Sequence, residues 1–257
     1  MDFLNAIILG VVEGLSEFLP ISSTGHLMLA VRALGLAQTE FLKTFEIAIQ
    51  LGAILAVAVL YWRRLLADWP TIKRVAVAFI PTGIIGLAFY KIIKSFLLDS
   101  AQTVVWTLFV GGAALIVFEL FYKEKENATE ETKAISYGQS LLIGVCQSLA
   151  IIPGVSRAAA TIIGGLALGI KRKAIVEFSF LLAVPTMAAA TGLDLIKNAN
   201  GFSLAQWDWL GIGFLVSFLV ALASIKFLLN FIKNHSFIPF GIYRIALALV
   251  FWLAILH

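Results

Sequence analysis

A chain of 257 residues that is 61% hydrophobic and 13% charged, with a mean hydropathy of +0.98, has too little polar surface to cover a soluble globule and reads as an integral membrane protein. Its net charge of +4 is explained by basic membrane loops as readily as by an anionic partner, and points to no nucleic acid. The single cysteine, Cys146, excludes an intrachain disulfide and a cysteine-based metal cluster, and reads as a small packing residue.

In chain order, "MDFLNAIILG" lacks a basic leader and a small-residue cleavage site, and Glu13 and Glu17 interrupt the apolar run behind it. The segment is therefore expected to belong to the mature fold rather than to a cleaved signal. Residues 2–35 form an apolar run cut by "LPISSTG", and residues 137–170 form another cut by "IPGVSR". Each half-run is about 15 residues, too short at 1.5 Å per residue to cross a ~30 Å hydrocarbon core, which predicts a re-entrant helical hairpin in each place. Unbroken apolar runs of about 20 residues predict spans at 41–62, 75–94 and 102–122, then, after a charged linker at 123–136, at 174–196, 209–230 and 237–256. The fold class is an all-α polytopic membrane protein with six transmembrane helices plus two re-entrant hairpins. Irregular backbone at membrane depth is tolerated only beside protein or a water-filled cavity, so the two breaks are expected to line one.

The halves 1–122 and 137–257 resemble each other. "GVVEGL" at Gly10–Leu15 matches "GVCQSL" at Gly144–Leu149, proline and serine follow each, Glu46 and Glu177 lie early in the next span, and "FIPTGI" at Phe79–Ile84 recurs as "FIPFGI" at Phe237–Ile242. A hairpin followed by three spans leaves the second half starting on the opposite face, which makes the repeat an inverted one. If "WRRLLADWPTIKR" is a cytoplasmic loop, twelve Lys/Arg fall on that face and five on the other, in keeping with the positive-inside rule. Hairpin one then enters from outside, hairpin two from the cytoplasm, and their tips meet near the midplane.

An ionisable group at the centre of a span costs about 2.5–3.5 kcal/mol, so Glu13, Glu17, Glu46, Arg157, Glu177 and Arg244 imply a shared polar cavity. Glu13 and Glu17, four apart, stack on one helix face with no basic residue at helical spacing, as a bound cation or a shared proton would require. The break then supplies Ser22, Ser23, Thr24 and Gly25 at the start of a new half-helix, whose free N–H groups suit a phosphate, followed by His26, suited to proton transfer or attack on phosphorus. Hairpin two offers Ser156 and Arg157, the latter able to grip phosphate bidentately. Carboxylates facing a phosphate need a divalent cation between them, Mg²⁺ or Ca²⁺, and metal-assisted phosphoryl transfer uses every one of these groups.

The stretch "EGLSEFLPISSTGH", the break "PGVSR", "EFSFLLAVP" at Glu177–Pro185 and "SFIPFGIYR" at Ser236–Arg244 resemble the bacterial undecaprenyl-diphosphate phosphatase, or bacitracin-resistance, family essentially end to end. The resemblance implies a multi-pass enzyme of the bacterial inner membrane that hydrolyses undecaprenyl diphosphate to the monophosphate carrier used in cell-wall synthesis, its active site open to the periplasmic side. By motif match it puts the catalytic groups on Glu13, Glu17, Ser23, His26 and Arg157, with Glu13 and Glu17 holding the metal. Ser22, Thr24, Gly25, Ser156 and Thr161 complete the substrate site, and a homodimer is compatible with it. The attacking group is left open among Ser23, His26 and water. In one place the chain departs from the pattern: where the family usually reads Ser-Arg-Ser-Gly, this sequence reads "SRAAAT", so Ala158 and Ala159 replace a hydroxyl and a glycine, removing a phosphate-facing donor and a residue that tolerates left-handed backbone.

Broken helices in an inverted repeat are also transporter anatomy, and a lipid-phosphate flippase or ion-coupled carrier is the alternative; His26 beside Glu13 and Glu17 favours the enzyme, since a carrier needs no nucleophile or general acid. The charge bias carries a test of sidedness. Introduced by Gln38→Cys on a Cys146→Ala background, a thiol is expected to react with a membrane-impermeant reagent in intact cells, and one introduced by Asp68→Cys is not; the reverse pattern inverts the topology.

Overall fold

The computed structural model describes residues 1–96, 101–198 and 204–255; Leu256, at the end of the last expected span, lies outside them. The described chain is helical throughout: α1 (Phe3–Ser16), α2 (Ser23–Ala33), α3 (Glu40–Leu60), α4 (Trp62–Ala67), α5 (Trp69–Phe96), α6 (Ala101–Phe121), α7 (Tyr137–Ser148), α8 (Arg157–Ala167), α9 (Arg172–Asn198), α10 (Leu204–Phe231) and α11 (Ile238–Ile255). Among the described residues, α3, α5, α6, α9 and α10 contain stretches long and apolar enough to cross a membrane, while α1, α7, α8 and α11 are shorter apolar helices. Large apolar side chains stand exposed along these helices, Phe121 at 84% and Leu87 and Leu253 at 72%, as lipid-facing surfaces require. The protein is a multi-pass membrane protein.

The expected loop "WRRLLADWPTIKR" is helical instead, forming α4 and the first turns of α5. Asp68 is the reason: its carboxylate accepts from the Thr71 backbone N–H at 3.2 Å and from the Thr71 hydroxyl at 2.7 Å, capping α5 just before Pro70, a residue the first helical turn tolerates. The 123–136 linker is tied down rather than loose. Thr129 pairs in parallel with Ile170, and Arg172 holds the Glu119 carboxylate with both guanidinium nitrogens.

The helices interlock across the two halves. α1 lies along α10, and α7 lies along α5, so each half's first short helix packs on a span of the other half; α3 packs on both α10 and α9, α5 on α9, and α6 on α11. Exchanging α1 with α7, α3 with α9, α5 with α10 and α6 with α11 maps these contacts onto themselves. Small residues allow the close approach, as they do between helices in lipid: a Cβ on Gly14 would lie 2.6 Å from the Ser217 carbonyl oxygen of α10, and one on Gly112 would lie 2.7 Å from that of Gly241 in α11. The match between "GVVEGL" and "GVCQSL" lies on the exchangeable helices α1 and α7. The match between "FIPTGI" and "FIPFGI" does not, because the first sits inside α5 and the second opens α11.

Candidate active site

Hairpin one breaks after α1 because Pro20 cannot donate to the helix ladder, and it restarts at Ser23 with Ser22 as cap. Ser22 holds a left-handed φ of 75°, a conformation costly for a residue with a Cβ, while its hydroxyl accepts from the Gly25 N–H at 3.4 Å. The Ser22 carbonyl accepts from the His26 backbone N–H at 3.2 Å and lies 2.7 Å from its ring Nδ1. Hairpin two restarts in the same way. Ser156 caps α8 by accepting from the Ala159 N–H at 3.1 Å. The register that aligns Gly10 with Gly144 also aligns the two cap serines, Ser22 and Ser156.

The two restarts meet at one carboxylate. Ser23 donates its hydroxyl to Glu17 Oε2, and Arg157 of hairpin two approaches Glu17 Oε1 at 3.4 Å. Arg157 is anchored behind by the Ser179 carbonyl of α9 at 2.9 Å, and its Nε is buried without a partner. Glu13 is fully buried, both of its carboxylate oxygens lack a hydrogen-bond partner, and it lies within electrostatic range of Glu17, Glu46 and Arg157. Thus Glu13, Glu17, Ser23 and Arg157 come together, and Arg157 takes Glu17 as its partner in place of Glu46 or Glu177.

Other expected groups sit around this centre in different capacities. Ser22, Gly25 and Ser156 are buried at the caps, whereas Thr24 is exposed. Thr161 is fully buried one turn into α8, where its hydroxyl lies 2.6 Å from that of Ser179, the residue whose carbonyl anchors Arg157. Glu177 leaves the site altogether, pairing at 2.6 Å with Arg64 of α4. Two cavities of about 190 and 360 Å³ border this same Arg64, and none of the residues lining them comes from the hairpins. Ala158 and Ala159 are buried within right-handed helix, and left-handed φ among the described residues is confined to Ser22, Gly35, Gly154 and Gly169. The departure from glycine at Ala159 therefore brings no strain, because α8 has already begun at Arg157.

Sequence reasoning missed the part played by α11. Arg244, 1% exposed, donates to the carbonyls of Gly154 at 3.1 Å, Thr107 at 3.0 Å and Pro20 at 3.4 Å, joining both breaks to α6. The Thr107 hydroxyl lies 2.8 Å from the Pro153 carbonyl as well. Beside Arg244, the Tyr243 hydroxyl stands 2.8 Å from His26 Nε2. Arg244 was visible as a charge at membrane depth; Tyr243 and Thr107 carried no such mark.

A family model described as bacitracin resistance protein BacA matches residues 6–250. The chain is 54% identical over 253 residues to the undecaprenyl-diphosphatase of Sulfurihydrogenibium sp. (strain YO3AOP1), covering 98% of this chain and 99% of that protein. It is 53% identical over 247 residues to the undecaprenyl-diphosphatase of Aquifex aeolicus (strain VF5), covering 96% of each, and 51% identical to that of Persephonella marina (strain DSM 14350 / EX-H1) over the whole of both chains.

Arg244→Lys keeps the charge but cannot span three carbonyls. Loss of a hydrogen bond to a charged group costs about 1.5–3 kcal/mol, so the variant is expected to lower the melting temperature in detergent clearly, measured beside the wild type. An unchanged melting temperature for Arg244→Lys would remove it as the tie between the breaks.

Proposed function

The chain belongs to the bacitracin resistance protein BacA family, and we propose that it hydrolyses undecaprenyl diphosphate to undecaprenyl phosphate and inorganic phosphate at the convergence of its two helix breaks. It is a phosphatase of cell-wall precursor metabolism, as the near full-length identity to three undecaprenyl-diphosphatases supports. The observation that carries the site is the single carboxylate of Glu17, joined to the Ser23 hydroxyl of hairpin one and the Arg157 guanidinium of hairpin two.

The residues take complementary parts. Ser23 directs its proton at Glu17, the arrangement that activates a hydroxyl, so Ser23 Oγ attacks the terminal phosphorus, Glu17 takes the proton and undecaprenyl phosphate departs. Water then hydrolyses the phosphoserine, releasing phosphate. His26, three residues on from Ser23 and thus on the same face of α2, is the base for that water. Arg157 stabilises the charge that builds on the transferred phosphoryl group. Thr161 and Ser179 position Arg157, and Ser22, Thr24, Gly25 and Ser156 form the backbone cradles on which the phosphates rest.

The donor set fits a divalent cation. Glu13 has two buried carboxylate oxygens without partners, next to Glu17, and Mg²⁺ is commonly held by one or two carboxylates together with substrate phosphates. Among the described residues no third His, Cys, Asp or Glu joins them, so phosphate oxygens and water would complete the shell. Bound there, Mg²⁺ or Ca²⁺ would neutralise the phosphates and polarise the scissile bond.

The short helices of each break, 14 residues for α1 and 12 for α7, reach about 21 and 18 Å, less than the ~30 Å core. Together with the exchange symmetry of the packing, this supports two re-entrant hairpins in a repeat, and the Lys/Arg bias of the loops supports six crossings, an inverted arrangement and a site open to the periplasmic side of the inner membrane.

Phosphate release from undecaprenyl diphosphate in detergent is the direct assay, and acid quenching during turnover is expected to trap phosphate on Ser23; turnover with no trapped phosphate and near-normal activity of Ser23→Ala would pass the attack to water. Glu13→Gln is expected to abolish the response of activity to chelator and added Mg²⁺ or Ca²⁺ without preventing folding, and a response like that of the wild type would displace the metal from Glu13. Arg157→Lys keeps charge but loses the fork, so kcat is expected to fall about 30-fold to 1,000-fold, the equivalent of about 2–4 kcal/mol, with little change in thermal stability. A structural ion pair with Glu17 would instead lower the melting temperature and leave turnover near normal.

A further inference from the structure

His26 is fixed at both ends of its ring. At one end Nδ1 lies 2.7 Å from the Ser22 carbonyl, and a carbonyl only accepts, so Nδ1 carries the hydrogen. In the neutral imidazole the lone pair is then on Nε2, the atom 2.8 Å from the Tyr243 hydroxyl, and the phenol must be the donor in that bond. The two rings are nearly parallel, 10° apart with centroids at 5.5 Å. The partner comes from α11, 217 positions along the chain, and Tyr243 is 44% exposed, so its hydroxyl is not sealed in the core.

We propose that Tyr243 is a positioning residue for His26, whose phenol presents Nε2 as the proton-accepting atom and supports the ring in both of its protonation states; the role rests on the reading of the chain as a diphosphatase. The chemistry of a phenol suits this. It is both donor and acceptor, so it can yield the Nε2 lone pair when the attacking water enters, and once the proton has moved the new N–H can donate to the phenol oxygen. The phenol hydrogen is then freed to turn toward a phosphate oxygen or solvent, and no group is left without a partner in either state. The proton passes from water to Nε2, the hydroxide oxygen bonds to phosphorus, the Ser23 Oγ–phosphorus bond breaks, and Oγ recovers the proton held on Glu17. Phenylalanine at this position would keep the ring contact and lose the exchange.

The test has a spectroscopic arm and a kinetic arm. In a His235→Gln, His257→Gln background His26 is the only histidine, and ¹⁵N-histidine NMR of the purified protein in detergent reads its tautomer without substrate. The expected result is protonated Nδ1 with a hydrogen-bonded, unprotonated Nε2, and Tyr243→Phe is expected to move Nε2 toward its free shift while Nδ1 stays protonated. A protonated Nε2 in the neutral wild-type ring, or a Tyr243→Phe spectrum identical to that of the wild type, would overturn the pairing. In turnover of undecaprenyl diphosphate, Tyr243→Phe is expected to lower kcat roughly 10-fold with KM within about twofold, as loss of one hydrogen bond made during proton transfer implies. An unchanged kcat, or a rise in KM alone, would overturn the positioning role. If the wild-type protein released no phosphate from undecaprenyl diphosphate, the diphosphatase reading would fall, while the spectrum would still decide the pairing of Tyr243 with His26.

Discussion

A helix break buried among other helices leaves backbone groups that water cannot reach, and in this protein Arg244 meets that demand for both breaks at once. Its guanidinium donates to the carbonyls of Pro20 and Gly154, which fall at equivalent positions when the two halves are aligned on their cap serines, and to the Thr107 carbonyl of α6. Gly111 lies directly against the guanidinium, where a side chain would have no room. The expense of burying one cation is offset by several charge-assisted hydrogen bonds to carbonyls, two of them at the breaks. Everything at the site follows from this tie: with the two tips held to one another, α2 and α8 start side by side, and Ser23 and Arg157 reach the same Glu17 carboxylate.

The two halves share a scaffold and divide the chemistry. In the register that pairs Ser22 with Ser156, Glu13 aligns with Gln147, Ser23 with Arg157, and His26 with Ala160. Hairpin one thus carries the carboxylates, the hydroxyl and the imidazole, and hairpin two carries the cation. Gln147 shows what the equivalent of Glu13 does when it has no charge: its amide donates to the hydroxyls of Thr82 at 2.8 Å and Thr186 at 3.1 Å, locking α7 to α5 and α9. The corresponding carboxylate in α1 makes no such bond, and its two buried oxygens remain available. One position of this alignment ties helices together in one half and makes no such tie in the other.

Much of this was legible in the sequence because a bilayer makes strong demands on local pattern. Apolar runs gave most of the helices to within a few residues, with α5 and α10 starting six and five residues earlier than expected, and Pro20 and the Pro153–Gly154 pair, each followed by serine, marked the breaks, whereas Pro81 and Pro185 lie inside unbroken helices. That Glu17, Ser23 and Arg157 converge followed from parity of crossings and the Lys/Arg bias. The errors lie where a partner is distant in sequence. Glu177 looked like a site carboxylate until Arg64, 113 positions away, was seen to pair with it, and nothing local identifies Tyr243 as the partner of His26. The stretch 62–74 reads as a loop by its charges and proline, yet the Asp68 cap turns those same features into a helix start. Ala159 is a loss only if the break extends that far, and Ser156 closes it three residues earlier.

The buried charges sort by whether they are balanced. Glu177 with Arg64 and Glu119 with Arg172 are closed pairs in the region where α4, the linker and the start of α9 meet, and Arg172 also lies over the Phe237 ring at 4.9 Å. These pairs resemble fastenings in which opposite charges cancel locally, although the Arg64 side chain, 41% exposed, also borders both cavities. At the breaks the balance differs, because two carboxylates, Glu13 and Glu17, face one arginine, Arg157. A surplus of carboxyl groups beside a helix start is a poor phosphate site by itself, since an ionised carboxylate repels phosphate more strongly in a low-dielectric interior than in water. A divalent cation reverses the sign and makes room for a dianion, which is how an acidic pocket can serve a diphosphate. The imbalance that would be a defect in a purely structural core is, on the proposed reading, what makes binding of metal and substrate mutually dependent.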